Sequence, residues 1–186
     1  GFLMMAVFVV VLVIMFSPVF KGQNALEYLD ALYNSISKSS AYYIPDARKA
    51  ADDFTGISVG VTIEMSGAER ARQMVPLFMK GGALVNMAGT GVQVEGDLGK
   101  ILANVLTDAE DMYYNNGEKL VSKYGYDERR VLLNWWMALN RMEKKLNDQK
   151  KFKEAKVVSF VRKKAVEASY NYYTIEPQAI GDRVGV

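Results

Sequence analysis

From Phe2 to Phe16 every residue is apolar, with no polar stripe at any helical spacing. Ser17 and Pro18 interrupt, Val19 and Phe20 come next, and the first charged residue is Lys21. A helix that is apolar on all faces belongs in lipid or deep in a large core. The remaining chain is too small to wrap it completely. The uncharged stretch is close to the ~20 residues needed to cross a bilayer as helix. The expectation is a single-pass anchor over residues 1–20, with Phe2, Leu3, Val10, Phe16 and Phe20 among its lipid-facing positions. A cleaved secretory signal would place basic residues before the run and small residues at a cleavage site. Neither is seen, and "SPVFKGQNA" is a poor site, so the segment is expected to be retained. The absence of an initiator Met is read as processing or trimming upstream.

The pattern then changes period. Leu26, Leu29, Tyr33 and Ile36 recur at helical spacing, and Asn24 with Glu27 forms a capping-box pattern before them. Residues 21–55 read as an amphipathic juxtamembrane helix and then a linker, "SKSSAYYIPD", in which Tyr42 and Tyr43 are candidate interfacial aromatics. In "GISVGVTIEM" the alternation is strict. Ile57, Val59, Val61, Ile63 and Met65 face one way, which marks a strand with one wet face. "SGAE" at Ser66–Glu69 reads as a second capping box. The helix it opens reaches about Lys80, is bent at Pro76 and is closed by Gly81-Gly82. "ALVNMAGTGVQVEG" reads as a hairpin around Gly89-Thr90-Gly91. Asp97 then caps a helix that buries Leu98, Ile101, Leu102, Val105 and Leu106.

After Gly125 the chain reads as two long helices. The first is capped by Asp127 and buries Val131, Leu132, Trp135, Leu139, Met142 and Leu146. The second runs from about Lys151 to Tyr173 with Phe152, Ala155, Val158, Val161, Ala165 and Ala168 inward. A turn near "LNDQKK" makes them an antiparallel pair. The expected fold is α+β and helix-rich. One N-terminal transmembrane helix precedes a small three-stranded β-α-β-β-α unit over 56–125 and a C-terminal antiparallel helix pair over 126–175. Residues 176–186 form an irregular tail.

Composition changes the picture in two ways. The chain of 186 residues has no histidine and no cysteine. That removes the commonest general base, the usual zinc and haem ligands, and thiolate chemistry. No catalytic residue, cofactor or metal ligand is named, and the expectation leans away from an enzyme. The net charge of +2 conceals a gradient, because Arg141 to Glu167 carries ten basic residues against four acidic ones. Such a region is either a solvated helix face or a surface for anionic lipid or an acidic partner.

Three stretches bear on chemistry. "GTG" with "EGDLGK" precedes a helix, as a phosphate site would, but it matches neither phosphate-loop pattern. Turns around a hairpin account for its glycines. Asp108, Glu110 and Asp111 could offer oxygen ligands, yet they lack the EF-hand alternation and read as a solvated face. Trp135 and Trp136 diverge by ~100° on a helix, so a core Trp135 leaves Trp136 at the margin. With Lys150, Lys151, Lys153 and Lys156 as a basic rim, Trp136 is the expected partner interface. No motif supports nucleic-acid binding.

The Gly1–Phe2 junction resembles the processed end of type IV pilins, whose apolar helix packs into a filament. Pilins carry Glu as the fifth mature residue, whereas Met5 or Ala6 stands here. The expected function is a single-pass, membrane-anchored structural or accessory subunit that contacts lipid and other protein subunits. Its soluble part is expected on the extracytoplasmic side, because Lys21 and Lys38 are a weak cytoplasmic retention signal. The alternatives are a pilin-like filament subunit and a membrane-tethered ligand-binding or sensor domain with a cleft beside the hairpin.

Overall fold

A computed structural model describes residues 1–20 and 22–176. The chain divides into two units, one formed by Gly1–Ser40 with the chain end from Ile175, the other by Ala41–Thr174. Residues 177–186, most of the expected irregular tail, lie outside the described residues.

In the first unit, α1 (Phe2–Phe16) is a fifteen-residue helix in which no residue is buried. It stops where Ser17 and Pro18 deny the next turn its helical backbone, and the Ser17 hydroxyl donates back to the Val13 carbonyl. The expected continuous helix through Phe20 is therefore shorter. Among the described residues no helix is both long and apolar enough to cross a membrane. Phe20 and Gln23 pair through their backbones, and the Phe20 ring stacks on Tyr28 at 5.5 Å. The Asn24–Glu27 capping box is present. Each backbone N–H reaches the other's side chain, at 3.0 and 2.9 Å, and α2 (Ala25–Ser40) begins there. Its buried positions are Ser35 and Lys38. Ser35 donates to the Glu176 carbonyl at 2.8 Å, and the Lys38 ammonium donates to the Ile175 carbonyl. Leu26, Leu29 and Tyr33, the apolar stripe, are exposed instead.

The second unit contains the sheet and most of the helices around one core. A helix that the periodicity did not predict, α3 (Ile44–Asp52), occupies the expected linker and buries Ile44, Ala47 and Ala51. It has Pro45 in its first turn, where the missing N–H costs nothing. The β-α-β-β-α order then appears as expected: β1 (Ser58–Glu64), α4 (Ala68–Lys80), β2 (Leu84–Ala88), β3 (Gly91–Asp97) and α5 (Leu98–Tyr113). The sheet is antiparallel in the order β1-β3-β2. Val59, Val61, Ile63, Val92 and Val94 supply its buried face, while β2 is an exposed edge.

Two local expectations fail. Ile57 lies just before β1 and is exposed. Ser66 does not cap α4, because the N-cap is Gly67 and the Ser66 hydroxyl instead accepts from Arg70 at 2.7 Å. A second unexpected helix, α6 (Gly117–Tyr124), precedes α7 (Glu128–Asp148).

α7 has the expected buried stripe, including Trp135, and its Asp127 cap accepts from the Arg130 N–H at 2.8 Å. The expected second long helix is interrupted. It comprises α8 (Phe152–Val161), a π-helical turn at Arg162–Val166 and α9 (Glu167–Asn171). The extra residue of a π turn rotates the downstream helix by ~100°. Ser169 is accordingly the fully buried position on α9, and Ala168 is only half-buried. Phe152, expected inward, is exposed.

Candidate functional site

The sequence-derived candidates do not converge on one site. Trp136 lies at the margin of the core, as its offset from Trp135 predicts. It is half-buried and packed against the core cluster. Its indole N–H donates to Glu167 at 3.1 Å, and the Arg162 guanidinium sits 5.4 Å from its ring centroid. Arg162 is largely buried and also donates to Glu143 at 2.9 Å. Trp136 helps line a cleft of about 320 Å³ with Leu133, Glu167, Tyr170 and Asn171. The π turn shapes this wall, because it sets the rotation at which α9 presents Glu167 and Tyr170.

The expected basic rim is elsewhere. Lys150 and Lys151 close the end of α7, fourteen and fifteen residues beyond Trp136, or about 21 Å along a helix axis. Lys153 and Lys156 border a different cleft of about 290 Å³, with Ala50, Asp53, Phe54, Val157 and Phe160. The cation beside Trp136 is Arg162, which the sequence pattern did not single out. A shallow opening of about 400 Å³ near the hairpin is bordered by Lys80, Gly82, Lys100, Asn104 and Thr107.

The acidic stretch is the largest departure. Asp108 is not on a solvated face but fully buried. Its Oδ1 accepts from the Lys123 ammonium at 2.7 Å. Its Oδ2 accepts from the Tyr124 hydroxyl at 2.5 Å and from the Trp135 indole N–H at 2.8 Å. Asn104 joins the network by donating to the Tyr124 hydroxyl at 3.0 Å. Burial pushes the Asp108 carboxyl up, against the opposing pull of Lys123, Tyr124 and Trp135. Burial and the neighbouring Asp108 also push the Tyr124 phenol far above its ordinary value.

Glu110 faces another direction, accepting from Arg48 and from the Tyr42 hydroxyl, each at 2.8 Å. Asp111 pairs with Lys119 at 2.7 Å. Each carboxylate thus has its own cation. Among the described residues no group of three or more acidic side chains is placed to hold a metal ion. Tyr42, expected at a membrane interface, instead packs against Tyr113 with ring centroids 4.7 Å apart. Tyr43 remains partly exposed, with the Lys164 ammonium 4.5 Å from its ring centroid.

The glycine-rich stretch also resolves into structure. Gly89 and Thr90 make the hairpin turn between β2 and β3. At the start of α5 the Asp97 carboxylate already occupies the position a phosphate would take. It accepts from the Lys100 N–H at 3.1 Å and from the Gly56 N–H at 2.8 Å. Phe2, Leu3, Val10, Phe16 and Phe20, expected from the sequence to face lipid, are all exposed. No protein-family model, no curated protein and no solved structure matches this chain.

Proposed function

We propose that the protein is a membrane-attached structural or accessory subunit, held in the bilayer by α1 and presenting the α+β unit to other subunits. The observation that supports this reading most is α1 itself: fifteen apolar residues in succession, none of them buried. Water is a poor solvent for such a surface, at roughly 25 cal/mol for each Å² of apolar area. Lipid covers it without requiring a matched partner. The exposed Leu26, Leu29 and Tyr33 of α2 fit the same environment at the interface. A fifteen-residue helix is about 22 Å long against a hydrocarbon core of ~30 Å. The reading therefore calls for Val19 and Phe20 to add to the embedded length or for the bilayer to thin around it.

Alkaline carbonate washing of native membranes tests the attachment, and the intact chain is expected to stay in the pellet. Val10→Arg should lower insertion by roughly 2.5–3.5 kcal/mol, and the variant chain should appear in the supernatant. Release of the wild-type chain would sink the anchor. A homopolymer recovered after mild solubilisation, rather than a complex with different proteins, would favour a filament in which α1 packs on copies of itself.

A further inference from the structure

We propose that the turn joining α7 to α8 is a docking surface for anionic phospholipid bilayers, with Phe152 entering the interface and the surrounding lysines meeting the headgroups. Between Lys144 and Lys156 the chain places six lysines against Asp148 and Glu154 alone. Among the described residues none of the six forms a salt bridge. Five of them are exposed and Lys151 is half-buried. Between Lys151 and Lys153 in the chain, Phe152 is 62% exposed, at the first position of α8.

The turn is held in shape. The Lys151 N–H reaches the Leu146 carbonyl at 2.8 Å and the Lys150 N–H reaches that of Asn147 at 2.9 Å, the paired bonds of a Schellman ending. That ending places Lys150 at φ 59°, in the left-handed region where glycine is the usual occupant. A lysine there carries a backbone penalty that glycine would avoid. The Gln149 side chain also fastens the turn to β1, donating to the Gly60 carbonyl at 2.8 Å. Lys153 and Lys156 further border the cleft floored by Phe54, Val157 and Phe160, with Asp53 the acidic group at its edge.

Charge complementarity selects the partner. Clustered lysines are drawn to the negative surface of a leaflet, with roughly fivefold in partitioning for each one near the surface. An exposed aromatic ring flanked by lysines in the chain suits the headgroup boundary. The surface belongs to the unit Ala41–Thr174 and does not depend on the insertion of α1.

The chain's lack of cysteine provides the test. Full-length protein with Phe152→Cys, labelled with a polarity-sensitive fluorophore, is reconstituted into phosphatidylcholine vesicles with or without phosphatidylserine. The expected result is a blue shift, with quenching by nitroxide lipids, only when phosphatidylserine is present. High salt should abolish the response. So should the combined substitutions Lys150→Glu, Lys151→Glu, Lys153→Glu and Lys156→Glu, with the thermal midpoint unchanged. A probe that stays in water on anionic vesicles overturns the proposal and leaves an acidic protein as the partner for this surface. An equal response on neutral vesicles overturns it too. Carbonate extraction of the same vesicles separates the two readings. If the anchor fails, the chain is released; if this surface fails, the chain stays in the pellet with its probe in water.

Discussion

At Asp108, two carboxylate oxygens take three donors brought together from α6 and α7. In the string "TDAEDMYY" this aspartate cannot be told from Glu110 or Asp111. Its partners lie fifteen to twenty-seven residues further on, so only tertiary structure distinguishes it. Asp108→Asn keeps the shape but removes the charge that compensates Lys123, and an amide NH₂ would face a donor. The expected loss is about 3 kcal/mol, toward the lower end for a broken buried pair because Lys123 reaches solvent. Urea unfolding of the detergent-solubilised chain measures it, and a loss below 1 kcal/mol (roughly that of an exposed pair) would mean the network is peripheral. Gly99 carries a prediction of opposite sign to its propensity. Alanine in a helix normally exceeds glycine by roughly 0.5–1 kcal/mol. At Gly99 a Cβ would come within 2.6 Å of the Thr55 backbone nitrogen. Gly99→Ala should therefore destabilise, by about 1–3 kcal/mol, as overpacking does. A raised thermal midpoint would show that the Thr55 segment yields freely.

Elements were legible where the pattern was long or punctuated. β1 was visible through its alternation, the hairpin through Gly89-Thr90-Gly91, and α5 and α7 through apolar stripes behind Asp97 and Asp127. The misses share a cause. α3 and α6 have nine and eight residues, too few for periodicity to declare itself, and α3 buries two alanines beside Ile44. The π turn at Arg162–Val166 leaves no signal in the apolar pattern, which continues through Ala165 and Ala168 as an uninterrupted helix would. The cap on α5 supports a pH prediction. Burial tends to raise the Asp97 carboxyl, but the N–H groups of Gly56 and Lys100 outweigh it and hold its pKa below the ordinary value. A depressed folded pKa contributes stability that is present above the unfolded value of about 3.9 and is lost as pH falls through the folded one. Asp97→Asn retains a capping oxygen but has no charge to lose. The wild-type advantage over this variant should be constant near neutrality and shrink below about pH 4, in urea midpoints taken across that range. A gap that widened on acidification would contradict the cap's assignment.

For the whole molecule, the sequence pattern places Trp136 at the margin of the core, where it is half-buried and packed on the core, but groups it with lysines that the structure places elsewhere. One-dimensional proximity on a helical pair does not survive the turn between them. What remains beside Trp136 is a half-buried indole under Arg162, tied to Glu167, at the mouth of a largely apolar cleft. An aromatic side chain that is packed on one side and open on the other suits a contact with another subunit. Because Trp136 is only half-buried, Trp136→Ala should cost about 1–2 kcal/mol in unfolding, less than the 3–5 kcal/mol of a fully buried aromatic. If the cleft receives a partner, the loss in assembly should exceed the loss in folding. The comparison uses full-length protein in mild detergent, with urea unfolding read beside native mass and the yield of co-purifying proteins. Retained folding with diminished yield would place the partner at this cleft. Yield that merely tracks the folded fraction would make Trp136 a packing residue and remove this cleft as a partner site.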